Sequence, residues 1–131
     1  MNDDEQTELI QSALEAQSRA YCTYSNFPVG AALRGKSGRI YQGVNVENAS
    51  FGLTNCAERV AIGTAVANGE KEFTAIAVAS RTGVTPCGAC RQVLAEFAPN
   101  LEIVMVDSLK PSEIHHATLT QLLPGRFEGP V

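Results

Sequence analysis

Residues 73–106 read FTAIAVASRTGVTPCGACRQVLAEFAPNLEIVMV, and this stretch sets the class of the fold. Its two ends, 73–80 and 101–106, are continuous apolar runs of strand length, which is typical of strands buried on both faces. Between them, a Thr-Pro pair at 85–86 provides a helix cap and a residue suited to the first helical position, so we predict a helix that ends near Phe97. Strand, helix and strand in this order predict parallel pairing in an α/β sheet that helices cover.

The flanking residues extend the same α/β pattern. Apolar side chains recur at helical spacing near the N-terminus, where Asn2 and Glu5 are placed as a capping box. Two extended runs around a basic, glycine-containing turn predict a β-hairpin. The elements predicted outside residues 73–106 are helices at 2–20, 55–68 and 118–123 and hairpin strands at 29–33 and 40–46. No repeat, low-complexity segment or linker interrupts them, so we predict one α/β domain over residues 1–131.

The composition of the 131 residues fits a globular chain with one core. Hydrophobic residues make up 44% and charged residues 18%, which excludes a disordered tail, a collagen repeat and a coiled coil. The net charge of −4 gives the chain no electrostatic attraction to nucleic acid or to an anionic membrane. The acidic N-terminus is unlike a secretory signal, and the longest uncharged stretch, residues 20–33, is too short and too polar to span a membrane. We therefore expect a soluble cytoplasmic protein with neither a nucleic-acid nor a membrane partner.

The four cysteines, Cys22, Cys56, Cys87 and Cys90, are the strongest chemical signal in the chain. In a reducing compartment, clustered cysteines indicate metal binding or redox chemistry more often than disulfides. Cys87 and Cys90 are three residues apart at the start of a predicted helix, so their sulfurs share one face, and Cys56 opens another predicted helix. Helix N-termini favour thiolates, and three sulfur ligands suit Zn²⁺ with its fourth position open, as in catalytic zinc sites.

Charged residues near these cysteines complete a candidate catalytic site. Glu58 follows Cys56 by two residues, where its carboxyl would exchange protons with bound water instead of binding the ion. Three thiolates and one Zn²⁺ carry a net negative charge, which needs compensation when it is buried. Arg59 and Arg91, close to the ligand cysteines in sequence, are the candidate donors to the sulfurs.

Two of these residues have alternative interpretations. Asn55 and Glu58 have the spacing of a capping box, in which Glu58 would only satisfy a backbone donor at the helix start. Cys22 as a fourth ligand would close the site into structural zinc, as in an interaction module, whereas as a small buried residue it would have no ligand role.

The remaining cysteine and histidine patterns also have more than one interpretation. Cys87 and Cys90 have the spacing of a redox pair, although thiol exchange does not require the upstream Cys-x-Glu motif. The adjacent His115 and His116 would point in different directions on any regular element, so they cannot chelate an ion together, and we predict surface or packing roles for both.

Four further stretches make the chain similar to a known family. Together with Cys-x-Glu and Pro-Cys-x-x-Cys, they resemble the zinc-dependent nucleoside and nucleobase deaminases, with Cys56 where many members carry His. The resemblance is closest to the small homotetrameric cytidine deaminases and covers almost the whole chain in order. The matching stretches are YSNFPVGAA at 24–32, GVNVEN at 43–48, CGACRQ at 87–92 and LLP at 122–124. The chain departs from the family at 21–24, which read YCTY where Ala-Pro is common in the middle, so the shape of this loop is not carried over.

This resemblance implies a fold, an activity and a cofactor. The expected fold is a three-layer α/β/α sandwich with a mixed central sheet of about five strands. The expected reaction is hydrolytic deamination of cytidine and 2′-deoxycytidine to uridine and 2′-deoxyuridine plus ammonia, a step of pyrimidine salvage carried out by a cytoplasmic homotetramer. One Zn²⁺ per chain would be bound by Cys56, Cys87 and Cys90, and Glu58 would be the proton shuttle.

The same resemblance implies the contacts to a nucleoside substrate. Asn45 and Glu47 would hydrogen-bond the ribose hydroxyls, Phe27 would pack on the pyrimidine ring, and the backbone at Ala57 would help hold the base. The positions expected to bind substrate are Phe27, Asn45, Val46, Glu47 and Ala57, with Phe51 and Phe127 reaching the pocket from neighbouring subunits.

Other deaminase substrates are the nearest rivals. Another cytosine nucleoside, such as an antibiotic of the blasticidin type, is one, although Asn45 and Glu47 suit a free ribose. A polynucleotide editor is disfavoured because the net charge is negative and no basic stripe with interleaved aromatic residues is present.

Overall fold

The computed structural model describes residues 1–130, which form five strands and four α-helices around one mixed sheet. The strand order is β2-β1-β3-β4-β5, with β3 and β4 parallel and every other neighbouring pair antiparallel. The elements are α1 (Asp3–Gln17), β1 (Gly30–Gly35), β2 (Ile40–Val44), α2 (Ala57–Ala67), β3 (Phe73–Ser80), α3 (Gly88–Phe97), β4 (Glu102–Asp107), β5 (Lys110–Thr118) and α4 (Leu119–Leu122), with a 3₁₀ turn at Phe51–Leu53 before α2. None of the helices within the described residues combines the length and the apolar character that crossing a bilayer requires.

The central strand β3 shows why the fold has three layers. Alternate residues point to opposite faces of a strand, and all of β3 from Ala75 onward is buried. Ala75, Ala77 and Ala79 pack with Leu9 and Ala13 of α1, while Ile76 and Val78 belong to the core under α2 and α3. The expected α/β/α sandwich with a five-stranded mixed sheet is therefore confirmed.

The predicted strand–helix–strand unit is present, with a later helix start. β3 and β4 pair in parallel, with Ile76 opposite Ile103. Cys87, not Thr85, is the residue that caps α3. The expected start was wrong because the Thr85 hydroxyl and the Pro86 carbonyl accept hydrogen bonds from a side chain of α3 and form an extended approach to the helix.

The first helix confirms its predicted cap but ends early. The amide of Glu5 donates to Asn2 Oδ1 at 2.8 Å, and the amide of Asn2 donates to Glu5 Oε1 at 2.9 Å. The helix ends at Gln17 because Tyr21 already pairs with the segment after β2, its amide donating to the carbonyl of Asn45.

The strand β5 has no counterpart in the sequence pattern, although the family resemblance implied a fifth strand. It is an edge strand, and most of its side chains are polar and exposed, so no apolar alternation marks it. His115 and His116 lie exposed on opposite faces of this strand, as their adjacency predicted.

The second helix lies unusually close to the sheet at Gly43. A Cβ atom at this position would lie 2.1 Å from the carbonyl oxygen of Ala57 and 2.4 Å from the amide nitrogen of Ala61. Both contacts are to backbone, so a side chain here would push the start of α2 away from β2.

Gly43→Ala is therefore expected to destabilise the protein by about 1–3 kcal/mol, the range of overpacked cores. Chemical denaturation measures this loss. The matched control is Gly63→Ala on the exposed side of α2, where a Cβ meets nothing within 4 Å. That variant is expected to gain about 0.5–1 kcal/mol, since Ala favours a helix interior over Gly. Equal stability of the two variants would contradict the close approach.

Candidate active site

Three cysteine sulfurs meet where two helices begin. Cys56 is the N-cap of α2, Cys87 is the N-cap of α3, and Cys90 lies in the first turn of α3. The Cys56 and Cys87 sulfurs are 3.9 Å apart, those of Cys87 and Cys90 are 3.4 Å apart, and all three lie within 4.8 Å of one another. Cys90 is buried, Cys56 half-buried and Cys87 exposed, so the cluster opens to one side.

The donor set fits zinc. Four-coordinate Zn²⁺ at about 2.3 Å from each sulfur places two sulfurs about 3.8 Å apart, close to the spacings seen here. Thiolate sulfur is a ligand that zinc accepts readily. Among residues 1–130 this is the only group of three or more metal-ligating side chains, and Cys22 is not part of it. The arrangement therefore offers three ligands, and the fourth-ligand role considered for Cys22 is not supported.

The cluster already favours negative charge on sulfur. Hydrogen bonding from Cys90 is the largest influence that lowers the pKa of Cys56, to about 5, and Arg59 adds to it with Nη2 3.3 Å from the Cys56 sulfur. The pKa of Cys90 is raised, first by the same hydrogen bond and then by burial. One thiolate thus forms easily, and a bound cation would release the remaining thiol protons.

The carboxyl of Glu58 is the buried titratable group beside the cluster. Glu58 lies in the first turn of α2, is 5% exposed, and lines the same pocket as Cys56 and Cys87. Burial is the main cause that raises the pKa of this carboxyl. The capping-box interpretation is wrong, because α2 has no side-chain cap and the backbone of Asn55 pairs with Val46 instead.

The pocket beside the sulfurs has a volume of about 190 Å³ and mostly apolar walls. Its polar side chains apart from the catalytic candidates are Asn45, Thr54 and Thr85. The complete lining is Val29, Asn45, Thr54, Cys56, Ala57, Glu58, Val78, Val84, Thr85 and Cys87. Sequence reasoning gave no role here to Thr54, Val78 and Val84, and took Thr85 for a cap. Their position directly before the cysteine-bearing helices, or at the end of the strand between them, is the signal that marks them.

The predicted ribose-binding residues lie on one short extended segment. Asn45 is buried and Glu47 half-buried on one side, while Val46 points the other way and is exposed. Asn45 also holds backbone, because its Oδ1 accepts from the Val29 amide and its Nδ2 donates to the Phe27 carbonyl, both at 2.9 Å. Its amide retains one hydrogen and one lone pair for a ligand.

Glu47 lies in a recess next to the main pocket, and Thr54 lines both. Its carboxylate accepts hydrogen bonds from the amides of Tyr24 and Ser25 at 3.0 and 3.1 Å and from the Ser25 hydroxyl. The Ser25 hydroxyl is the main cause that lowers the pKa of Glu47. This carboxyl is therefore ionised at neutral pH.

The predicted aromatic contacts are only partly at the pocket. Phe27 is half-buried in the loop before β1 but does not line the pocket. Phe51 lines the Glu47 recess, and its ring packs edge-to-face against the ring of Tyr24. Phe51 and Phe127 are 76% and 71% exposed, and the backbone carbonyl of Phe127 accepts a hydrogen bond from Gln92 Nε2 at 2.9 Å.

Arg91 corrects one expectation. Its guanidinium donates no hydrogen bond to a sulfur and instead donates to the carbonyls of Pro86 and Leu122, both at 2.7 Å, and to the Thr85 hydroxyl. Arg91 thereby connects Thr85 and Pro86 to α4. Of the two arginines, only Arg59 donates a hydrogen bond to a cysteine sulfur.

Comparisons with known proteins identify the family of this chain. Residues 3–106 match the family described as the cytidine and deoxycytidylate deaminase zinc-binding region. The chain is 48% identical over 121 residues to the cytidine deaminase of Sporosarcina psychrophila, covering 91% of this chain and 88% of that one. It is 34% identical over 130 residues to the blasticidin-S deaminase of Bacillus cereus, covering 92% and 90%. The crystal structure of the cytidine deaminase from Burkholderia pseudomallei has a TM-score of 0.89 at 44% identity and covers 97% of this chain and 100% of that one. The chain therefore belongs to the family of deaminases that share the cytidine and deoxycytidylate deaminase zinc-binding region.

Proposed function

We propose that this chain deaminates cytidine and 2′-deoxycytidine by hydrolysis, giving uridine or 2′-deoxyuridine and ammonia in pyrimidine salvage. One catalytic domain, residues 1–131, would carry the reaction with one Zn²⁺ held by Cys56, Cys87 and Cys90. The observation that carries the proposal is the buried carboxyl of Glu58 beside an open three-sulfur cluster in an apolar pocket.

Glu58 would carry out the proton transfers of the reaction. When bound, zinc is a Lewis acid that lets water ionise near neutral pH. Glu58 takes up the proton of the attacking water and delivers it to ring N3 of the base. The oxygen of that water forms a bond to C4 of the base, and a second transfer through the same carboxyl carries its remaining proton to the amino group, which leaves as ammonia while the C4 carbonyl forms. Burial raises the pKa of Glu58, so this carboxyl holds a proton more readily than an exposed one, which suits a group that must both accept and donate a proton.

The substrate-facing residues favour a nucleoside. Asn45 and Glu47 would bind the ribose hydroxyls, with Val46 in the same segment, and the backbone at Ala57 would hold the base. The proposal that Phe27 packs on the ring requires this loop residue to turn toward the pocket when substrate is present.

We expect the enzyme to discriminate against 5′-phosphorylated substrates. The side chains that line the pocket and the Glu47 recess include no Lys or Arg, and Glu47 is anionic. A phosphate group would therefore find no cation and would be repelled, so kcat/KM for CMP should be about 10²-fold or more below that for cytidine. Ammonia release from cytidine and from CMP measures the ratio of the two kcat/KM values. Glu47→Gln removes the repelling charge, so it should make this ratio smaller. Equal turnover of CMP would contradict this assignment.

A blasticidin-type antibiotic is the second candidate substrate, favoured by the similarity to the Bacillus cereus enzyme. Ammonia release from cytidine, 2′-deoxycytidine and blasticidin S under one set of conditions separates the two proposals. We expect turnover of both plain nucleosides and little of the antibiotic. Turnover of blasticidin S alone would support the rival.

We also propose that the active form is a homotetramer. The support is the exposure of Phe51 and Phe127, two large apolar side chains that a second copy would cover. Phe51 lies at the rim of the Glu47 recess, so a neighbouring subunit there would complete the wall of the site.

A further inference from the structure

We propose that Gln17 is a positioning residue for the substrate loop, defined here as residues 24–29. Gln17 is the last residue of α1 and is 9% exposed, so its amide is a buried polar group that needs partners. Its Nε2 donates to the Pro28 carbonyl at 3.1 Å and to the Ser108 hydroxyl at 3.0 Å. The proposal rests on the function proposed above, because it assigns that loop a role in binding the nucleoside.

Side chains make several of the hydrogen bonds to the backbone of the substrate loop, alongside two backbone bonds, from the Asn26 amide to the Cys22 carbonyl and from the Asn45 amide to the Val29 carbonyl. Residues 26–29 belong to no helix or strand. The Asn45 amide holds the Phe27 carbonyl and the Val29 amide, while Gln17 holds the carbonyl between them. Since proline has no N–H, this carbonyl is the only backbone group that Pro28 has for a hydrogen bond. Two buried side-chain amides, one at the end of α1 and one in the segment after β2, therefore fix three successive residues of the loop.

Close packing fixes the backbone from which the Gln17 side chain extends. A Cβ on Gly30 would lie 2.4 Å from the backbone nitrogen of Gln17 and 2.8 Å from the Cα of Gln17. The end of α1 therefore packs directly against the start of β1. The second hydrogen of Nε2 goes to Ser108, in the turn between β4 and β5. Both hydrogens of the Gln17 amide thus form hydrogen bonds. The bond to Ser108 fixes the orientation of the amide and so the direction of the hydrogen that it donates to Pro28.

The position of the held carbonyl connects this contact to the substrate. Pro28 lies between Phe27, the proposed ring contact, and Val29, which lines the pocket. Loss of the Gln17 donor would leave the Pro28 carbonyl without its partner and loosen both neighbours. Glu58 and the three cysteines lie on α2 and α3, so the chemical step and the metal site would be untouched.

Gln17→Met tests the proposal, because Met keeps the length and helix preference of Gln but has no donor. We expect KM for cytidine to rise roughly 10-fold, with kcat within about twofold of wild type and the zinc content unchanged. Hydrogen–deuterium exchange of the amides in residues 24–29 should become faster, a readout that does not need activity. The matched control is Gln42→Met, which removes a similar amide tie, from Nε2 of Gln42 to the Ser12 carbonyl at 3.0 Å, between α1 and β2. It should leave both KM and loop exchange unchanged.

Two results with Gln17→Met would overturn the positioning role. One is an unchanged KM and unchanged loop exchange in Gln17→Met, with only a lower melting temperature like that of Gln42→Met. The other is a fall in kcat with loss of zinc. If Gln17→Met does not fold, Ser108→Ala frees the same amide and should raise KM roughly two- to threefold, and no rise would overturn the proposal. A wild-type protein that does not deaminate cytidine would refute the proposed function, while the exchange experiment would still report on the loop.

Discussion

Glu58→Gln is expected to lower kcat for cytidine by about 10²-fold or more, the usual contribution of a general acid–base group. Gln has nearly the shape of Glu but neither accepts nor donates a proton under these conditions, so both proposed transfers are lost. Zinc content and fold should not change, since Glu58 is not one of the three sulfur ligands and makes no helix cap. Ammonia release, metal analysis and circular dichroism on the same sample measure the three expectations.

A remote glutamate provides the control for this substitution. Glu70 accepts hydrogen bonds from the hydroxyls of Ser37 and Tyr41 at the far end of the β1–β2 hairpin. Glu70→Gln should weaken those contacts and lower stability without changing turnover. A Glu58→Gln enzyme that retained most of its kcat, or that lost its zinc together with its activity, would show that Glu58 is not the proton shuttle.

The regular core of the fold was predictable because its strands are buried. The predominantly apolar runs at 73–80 and 101–106 admit few alternatives, and the structure places β3 and β4 there within one residue. β5 was not predictable from its pattern, because an exposed edge strand places no demand on alternate side chains. The resemblance to a family supplied the fifth strand that local reasoning could not.

Some features of the candidate site were likewise predictable from local spacing, whereas others depend on tertiary packing. Spacing alone places the sulfurs of Cys87 and Cys90 on one helical turn. Cys56 precedes Cys87 by 31 residues, and only the packing of α2 beside α3 places its sulfur next to the other two. Arg59 was predictable as a sulfur donor because it shares the first turn of α2 with Cys56. The role of Arg91 was not predictable, because its partners are the carbonyl of Pro86 before α3 and the carbonyl of Leu122 in α4, which only the packed fold brings together. The tie from Gln17 to Pro28 likewise depends on tertiary packing.

Replacement of cysteines one at a time should separate an open catalytic metal site from a closed structural one. Cys90→Ser is expected to reduce zinc from about one ion per chain to near zero and to abolish turnover. Serine does not supply a thiolate, and Cys90 is the buried member of the cluster, so no nearby water replaces it easily.

Cys22→Ser is the matched control, since Cys22 is a half-buried free cysteine outside the three-sulfur group. It should retain about one zinc per chain and near-normal turnover, because an open fourth position is what the proposed chemistry requires. Atomic absorption on dialysed protein, with ammonia release from cytidine, measures both variants. Loss of the metal in Cys22→Ser would mean that four sulfurs close the site, and a zinc closed on all sides by protein has no position left for the water that deamination consumes.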